Sequence, residues 1–357
     1  MEKGISLYPG MGYSLRESLS YLQKAKAAGF TRLFTSLHIP EADPGAVLAE
    51  FRDIAAAATE MGLVVTADIS PRAFCALEAG PASAGFFVQA GLKALRFDFG
   101  FTAEEIAAWT RSGLGVELNA STMDEPALTA IVKAGAATEK FQACHNYYPR
   151  PDTGISYQLF TERNRLFRSR AIPVAAFIPS LENPRGPLQA GLPTLEQHRG
   201  INTVQAAKHL IWDGQVAAVI IGDPLAADAE LRQVGAVEAD CVELQVELSP
   251  GLTALERTIL FADHINRTDS GEGAVRSANA RSLAAEQLPA GGIRPRLQGC
   301  VTIDNSGYMR YMGELQLLRK DLPADPRVNV VARVIAQERF LIDLIRPGMK
   351  FRFRPAY

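Results

Sequence analysis

The sequence predicts an α/β protein in two parts: an N-terminal (β/α)8 barrel of the TIM type over residues 1–237, and a small β-rich domain over residues 238–357. Three observations carry this reading. Eight short apolar runs alternate with segments of helical periodicity in the first part, a count and length suited to such a barrel. A doubly wound open sheet is the alternative for the same alternation. After about residue 238 the helical period gives way to strand-like runs joined by turn signals. The whole chain has 357 residues, too many for one ordinary core and comfortable for two.

The expected barrel strands are Ile5–Tyr8, Arg32–Leu37, Leu63–Ile69, Ala94–Phe99, Gly115–Asn119, Lys140–His145, Pro173–Ile178 and Ala217–Ile221. Most are continuous apolar runs, as parallel strands covered by helices require. Between them, Val47, Phe51, Ile54, Ala58 and Met61 recur at helical spacing, as do Leu15, Leu19 and Leu22. Ser14, Thr102 and Thr122 each stand three residues before a glutamate, the capping-box pattern. Gly29, Gly62 and Gly113 stand where helices should stop. Gly80-Pro81 interrupts the helix expected between the third and fourth strands. In the second part, strands are expected at Val242–Leu248, Gly299–Ile303, Tyr308–Leu317, Val328–Val334 and Lys350–Phe353, with a hairpin turn at Asn305-Ser306-Gly307.

Composition narrows the function. With 47% hydrophobic and 21% charged residues, the chain reads as an ordinary soluble globular protein. A net charge of −2 and no basic run leave nucleic-acid and polybasic membrane partners without support. No apolar stretch reaches the ~20 residues of a membrane helix, and no secretory leader precedes the first strand, so a cytoplasmic location is expected. Cys75, Cys144, Cys241 and Cys300 are scattered, without zinc spacing, and the five histidines show no paired-ligand pattern. No metal and no cofactor are expected. Phe340, Leu341, Leu344 and Ile345 read as core or as the interface of a homodimer.

In a barrel of this kind, function collects at the C-terminal strand ends. There, polar residues follow apolar runs abruptly: Tyr8; Ser36 and His38; Asp68 and Ser70; Arg96 and Asp98; Glu117, Asn119 and Ser121; His145, Asn146, Tyr147, Tyr148 and Arg150; Pro179 and Glu182; and Asp223. Asp68 and Asp98 end buried-looking strands, where desolvation tunes a carboxyl for proton transfer. The competing reading is a turn cap for Asp68 and an ion pair with Arg96 for Asp98. The densest polar and aromatic loop is His145-Asn146-Tyr147-Tyr148-Pro149-Arg150. Tyr148 suits a sugar face, and Arg150 and Arg185 suit a phosphate or carboxylate. Arg276 and Arg281 are further basic candidates in the second domain.

Several blocks of the chain resemble one family. They are Phe34-Thr35-Ser36-Leu37-His38-Ile39-Pro40, Ala67-Asp68-Ile69-Ser70-Pro71, Leu118-Asn119-Ala120-Ser121-Thr122 and Cys144-His145-Asn146-Tyr147-Tyr148-Pro149-Arg150-Pro151. Gly191-Leu192-Pro193, Ile221-Gly222-Asp223-Pro224 and Tyr311-Met312-Gly313-Glu314-Leu315-Gln316 extend the match. The family is the bacterial 6-phospho-N-acetylmuramidases (MupG-type). The resemblance implies a barrel followed by a cyclophilin-like β-barrel domain. It also implies cytoplasmic hydrolysis of the β-1,4 bond in N-acetylmuramic acid 6-phosphate–N-acetylglucosamine, a small phosphorylated amino-sugar glycoside, during recovery of cell-wall sugars. The loops Pro9-Gly10-Met11-Gly12-Tyr13 and Pro179-Ser180-Leu181-Glu182-Asn183 depart from the family pattern.

Glycosidases of most families work with two carboxyl groups. Asp68 and Asp98 are the candidates, with Asp223 in reserve. Inverting, retaining and acetamide-assisted routes stay open, as does the choice of acid. Two other classes compete: a phosphosugar isomerase, epimerase or aldolase on the same barrel, and a phosphosugar-binding protein without catalysis.

Overall fold

The computed structural model describes residues 1–36, 44–69, 71, 74 and 80–356. They form two compact units, Met1–Ala236 and Val237–Tyr357.

The first unit is a closed barrel of eight parallel strands in sequential order. They are β1 Glu2–Ser6, β2 Arg32–Ser36, β3 Val64–Ile69, β4 Leu92–Phe97, β5 Gly115–Asn119, β6 Phe141–Cys144, β7 Val174–Ile178 and β8 Ala218–Pro224. Each parallel pair needs a crossover, and helices supply them: α1 Leu15–Ala27, α2 Pro44–Glu60, α3 Ala84–Gln89, α4 Ala103–Thr110, α5 Glu125–Lys133, α6 Tyr157–Arg168 and α7 Thr203–Asp213, with α8 Asp228–Ala236 after β8. The expected barrel is therefore present, and closure excludes the open sheet. Apolar faces such as Leu22, Ala25, Phe51, Ile54 and Ala58 are buried as their spacing requires.

Local signals hold with two exceptions. Capping boxes form at Ser14 and Thr102. At the third site the helix starts later. Asp124 is the N-cap and accepts from the Ala127 amide, and with alanine at that third position no reciprocal glutamate bond forms. Gly80-Pro81 leads into a single 3-10 turn before the short α3, and most of the segment between β3 and Gly80 lies outside the described residues.

The second unit is a mixed seven-stranded sheet in the order β10-β15-β9-β14-β12-β13-β11. Its strands are β9 Cys241–Leu248, β10 His264–Ile265, β11 Ala274–Arg276, β12 Cys300–Asp304, β13 Leu315–Leu318, β14 Val328–Val334 and β15 Lys350–Pro355, with α9 Ala254–Leu260. Main-chain bonds from Arg267 to Arg276 and from Ala278 to Ile265 draw the two edge strands together, so the sheet is nearly closed. The expected turn at Asn305–Gly307 is instead the start of a 3-10 segment, Ser306–Tyr311. The Asn305 side chain accepts from the Gly307 amide and winds the chain helically, which delays β13 to Leu315. Leu341 and Ile345 are core, while Phe340 is 41% exposed.

Gly222 packs against the loop before α7 so closely that a Cβ there would stand 2.6 Å from the Leu192 carbonyl oxygen. Gly222→Ala should cost about 1–3 kcal/mol through overpacking. Gly85→Ala, in α3 with open space around it, should raise stability by about 0.5–1 kcal/mol. Thermal unfolding of the two variants checks both, and equal melting temperatures would contradict the packing argument.

Candidate active site

One row of side chains crosses the barrel interior. The strand register aligns Ser36 with Asp68, Asp68 with Arg96, Arg96 with Glu117 and Glu117 with Gln142. Arg96 is its centre. Its Nη1 lies 3.2 Å from Asp68 Oδ1 and 3.7 Å from Asp98 Oδ1, its Nε 3.9 Å from Glu117 Oε1, and its Nη2 donates to Asn146 Oδ1 at 2.5 Å. Burial alone would lower the guanidinium pKa; Asp68 and Asp98, with help from Glu117, more than reverse this, so Arg96 remains a cation. Below it, Glu117 accepts from Gln142 and faces Arg32 at 3.6 Å. Burial pushes the Glu117 carboxyl up, against the pull of Arg32 and Arg96.

Asp68, Arg96 and Asp98 open onto one cavity of about 190 Å³ at the barrel mouth, with Phe34, His145, Asn146, Tyr147 and Phe177. Asp98 is oriented from one side by Asn119, whose amide donates to its Oδ1. Tyr147 meets Phe34 and Phe177 edge to face, with centroids 6.3 and 5.2 Å apart. The cavity therefore has a carboxylate side and an aromatic side.

His145 is fully buried behind Asn146. Its Nε2 lies 3.0 Å from Asn164 Oδ1, and its Nδ1 3.1 Å from Ser121 Oγ. Asn164 Oδ1 can only accept, so Nε2 carries the proton and Nδ1 accepts from Ser121. Ser121 Oγ in turn accepts from the Asn146 amide. Burial, reinforced by the Arg96 and Arg163 charges, holds the imidazole near a pKa of about 4 despite the Asn164 bond. It is a neutral relay that fixes the loop.

Arg185 packs on Tyr147, behind the cavity lining. Its guanidinium stands over the rings of Tyr8 and Tyr147, 4.5 and 5.0 Å from their centroids, and donates to Tyr147 Oη at 3.3 Å. Among the described residues no carboxylate forms an ion pair with it. Asp223 shapes the loops instead: its two oxygens accept from the main-chain amides of Ser180, Arg185 and Leu192 at 2.8–3.0 Å. It is fully buried and does not line the cavity. Tyr8 donates to the Gly222 carbonyl.

The loop after β6 is pinned by a second pair. Arg199 bonds Glu196 through Nε and Nη2, and also reaches the carbonyls of Tyr148, Arg150, Ala190 and Gly191. Glu196 accepts from the Asp152 and Gly154 amides, and the bond from Arg199 holds its pKa near 2.

The structure thus brings together Asp68, Arg96, Asp98, Asn119, Ser121, His145 and Asn146, with Tyr8 and Arg185 packed behind Tyr147. Ser36 is buried at the end of β2. His38 and Ser70 lie outside the described residues. Tyr148 and Arg150 are not cavity-lining: Tyr148 is tied through its main chain to Pro193, and Arg150 is exposed. Arg276 belongs to the second unit, where its Nε donates to Glu314. The sequence named Tyr147 and Glu117 at strand ends without giving either a role, and it offered no sign of the Arg199–Glu196 pair. Alternation from His145 points Tyr147 inward and was the available signal.

A neutral, buried histidine has a pH signature. Its folded pKa of about 4 lies below the value of about 6.5 for a free imidazole. Its contribution to stability is complete above the higher value and is lost as pH falls through the window between them. Thermal unfolding from pH 7 to 4 should therefore show a shallower acid decline in His145→Gln than in the native protein. Parallel curves would contradict the burial argument.

The comparisons with known proteins agree with this architecture. Residues 3–236 match the family description "6-phospho-N-acetylmuramidase, N-terminal" and residues 242–354 match "6-phospho-N-acetylmuramidase, C-terminal". The chain is 31% identical to an uncharacterized B. cereus protein of known crystal structure, over 99% of both chains, with a TM-score of 0.89. It is 33% identical to a conserved Enterococcus faecalis protein with an unknown function, over 99% of this chain and 96% of that one, with a TM-score of 0.80. No curated protein matches it. Two matching halves that together span nearly the whole sequence make this chain a member of the 6-phospho-N-acetylmuramidase family.

Proposed function

We propose that the chain is a cytoplasmic glycosidase that hydrolyses the β-1,4 bond between N-acetylmuramic acid 6-phosphate and N-acetylglucosamine, recovering cell-wall sugars. The observation that carries this is the pairing of Asp68 and Asp98 around one guanidinium, both facing one cavity with an aromatic wall. The family supplies the substrate class. No helix among the described residues is long and apolar enough to cross a membrane.

Asp98 is the more exposed of the two, at 30% against 19% for the side chains. In this reading Asp98 exchanges the proton with the glycosidic oxygen. Asp68, bonded to Arg96, faces the anomeric carbon and stabilises its developing positive charge. The two contacts to Arg96 Nη1, 3.2 and 3.7 Å, keep the carboxylate oxygens within roughly 7 Å of each other, a bound that admits the retaining, acetamide-assisted and short inverting spacings. Asn146 spends its carbonyl on Arg96, leaving its N–H groups for the sugar. Arg185, a cation with no carboxylate ion pair among the described residues, takes the phosphate or the lactyl carboxylate. The enclosed volume is below the usual ~300 Å³ of a small-molecule site, so it seats one reacting ring, with the rest of the glycoside outside.

Asp98→Asn should lower kcat on the 6-phosphomuramyl disaccharide at least ~100-fold, as expected for loss of a general acid. Mass spectrometry of the products checks it, and an undiminished rate would end the assignment. NMR of the first-formed anomer separates retention from inversion. Arg185→Ala should raise KM roughly tenfold for the phosphorylated disaccharide, in line with a lost charged hydrogen bond, and leave the unphosphorylated one nearly unchanged. Equal losses on both would remove Arg185 from anion recognition.

A further inference from the structure

Two side-chain amides hold the charged groups at the barrel mouth. Asn119, the last residue of β5, donates through Nδ2 to Asp98 Oδ1. Asn146, just beyond β6, accepts at Oδ1 from Arg96 Nη2 at 2.5 Å. An amide side chain can turn end for end, and a turned Asn119 would set its carbonyl oxygen against the Asp98 carboxylate. One residue, Ser121, bonds to both asparagines.

Ser121 does so with two arms. Its main-chain amide donates to Asn119 Oδ1 at 2.9 Å. With Oδ1 committed to that donor, Nδ2 is the atom that faces Asp98, and the opposite orientation would bring N–H against N–H as well as oxygen against oxygen. Its hydroxyl accepts from the Asn146 main-chain amide at 2.9 Å and bonds His145 Nδ1 at 3.1 Å. His145 is anchored in turn on buried Asn164 of α6. Asn119 and Ser121 are buried, and neither lines the cavity. Both polar atoms of the Asn119 side chain are engaged, so it holds Asp98 and not a sugar. A local turn closing β5 would need the Asn119–Ser121 bond alone; the bond to Asp98 and the hydroxyl arm go beyond it.

The arms serve different steps. Asp98 meets both Asn119 and Arg96 through Oδ1, which leaves Oδ2 to carry the proton. We propose that Ser121 is a positioning residue with two separable effects. Through Asn119 it turns Asp98 so that Oδ2 meets the glycosidic oxygen, and through its hydroxyl it sets Asn146 where the N–H groups of that side chain meet the sugar. The assignment rests on the barrel reading above. In that reaction Oδ2 gives its proton to the glycosidic oxygen as this oxygen takes the electron pair of its bond to the anomeric carbon. Water then supplies the new oxygen at that carbon and returns a proton to Oδ2.

The test assays the full chain on two substrates, the 6-phosphomuramyl disaccharide and the nitrophenyl glycoside of N-acetylmuramic acid 6-phosphate. Nitrophenolate departs with little help from an acid, so the second substrate reads the pocket without Asp98. Asn119→Ala cuts the first arm. It should lower kcat on the disaccharide roughly 10–100-fold, the loss expected for a hydrogen bond to a charged group, leave KM within about twofold, and spare the nitrophenyl glycoside. Ser121→Ala cuts the second arm and keeps the amide. It should raise KM roughly tenfold on both substrates with kcat held, and Ser121→Thr, which retains the hydroxyl, should restore KM. Asn119 is buried, so Asn119→Asp is the second variant: it keeps the size and the acceptor for Ser121 and removes only the donor to Asp98, and its kcat on the disaccharide should fall in the same way. Equal losses on both substrates in the Asn119 variants, or kcat and KM moving together in Ser121→Ala, mark a merely structural role and overturn the proposal. Hydrolysis by the native chain without this split ends the two-arm assignment alone. A native chain that cleaves neither substrate ends the barrel reading and the assignment with it.

Discussion

The barrel depends on one buried cation. Arg96 sits inside a closed ring of strands where a lone guanidinium would be prohibitively desolvated, and Asp68, Asp98 and Glu117 make its presence possible. The dependence is mutual. Without Arg96, three carboxylates would share one small volume and repel each other. An apolar core of equal size would hold the strands at least as well, so stability alone does not account for this arrangement. What the ionic row provides is two carboxylates at a fixed spacing, on rigid strands, at the one end of the barrel where loops leave room for a ligand.

The loops are organised by the same device at smaller scale: an acidic side chain collecting main-chain amides. Asp223 gathers three N–H groups from the loop after β7, and so sets where Arg185 stands. Glu196 gathers two from the loop after β6, while its partner Arg199 gathers carbonyls from that loop and from the chain before α7. The His145–Ser121 relay fixes Asn146 from behind. Loops held this way lose little further entropy when a ligand arrives, which is what preorganisation requires.

The fold was legible because its signals are local. Apolar runs, capping boxes and stop glycines are written in consecutive residues, and β2, β3, β5 and β7 fall within a residue or two of expectation. Where expectation slipped, a side chain intervened: Asp124 capped α5 in place of Thr122, and Asn305 wound a helical turn where a tight hairpin was expected. Half of the site was legible by the same logic, since Asp68, Asp98, Asn119 and His145 stand at strand ends. The remainder was not, for a physical reason. Glu117 stands at a strand end in the sequence, but its pairing with Arg32 and Arg96 depends on register between strands, and Arg199 acts through contacts some fifty residues away in the chain. Asp223 looked like the other strand-end acids; only its three amide partners show that its lone pairs are already engaged.

The charge pattern across the mouth of the barrel has a direction. On one wall, Asp68 and Asp98 outnumber Arg96, so that side favours a developing positive charge. On the other, Arg185 is held by tyrosine faces and, among the described residues, answered by no carboxylate ion pair, so it favours a fixed negative one. Tyr147 lies between them, touching the cavity with its ring and Arg185 with its hydroxyl. A neutral substrate would gain nothing from this polarity. A sugar that becomes cationic at one carbon while carrying an anion elsewhere would be oriented by it before any bond breaks. That double requirement, more than any single residue, is what the proposed phosphorylated glycoside would meet, with the aromatic ring of Tyr147 between the two charges.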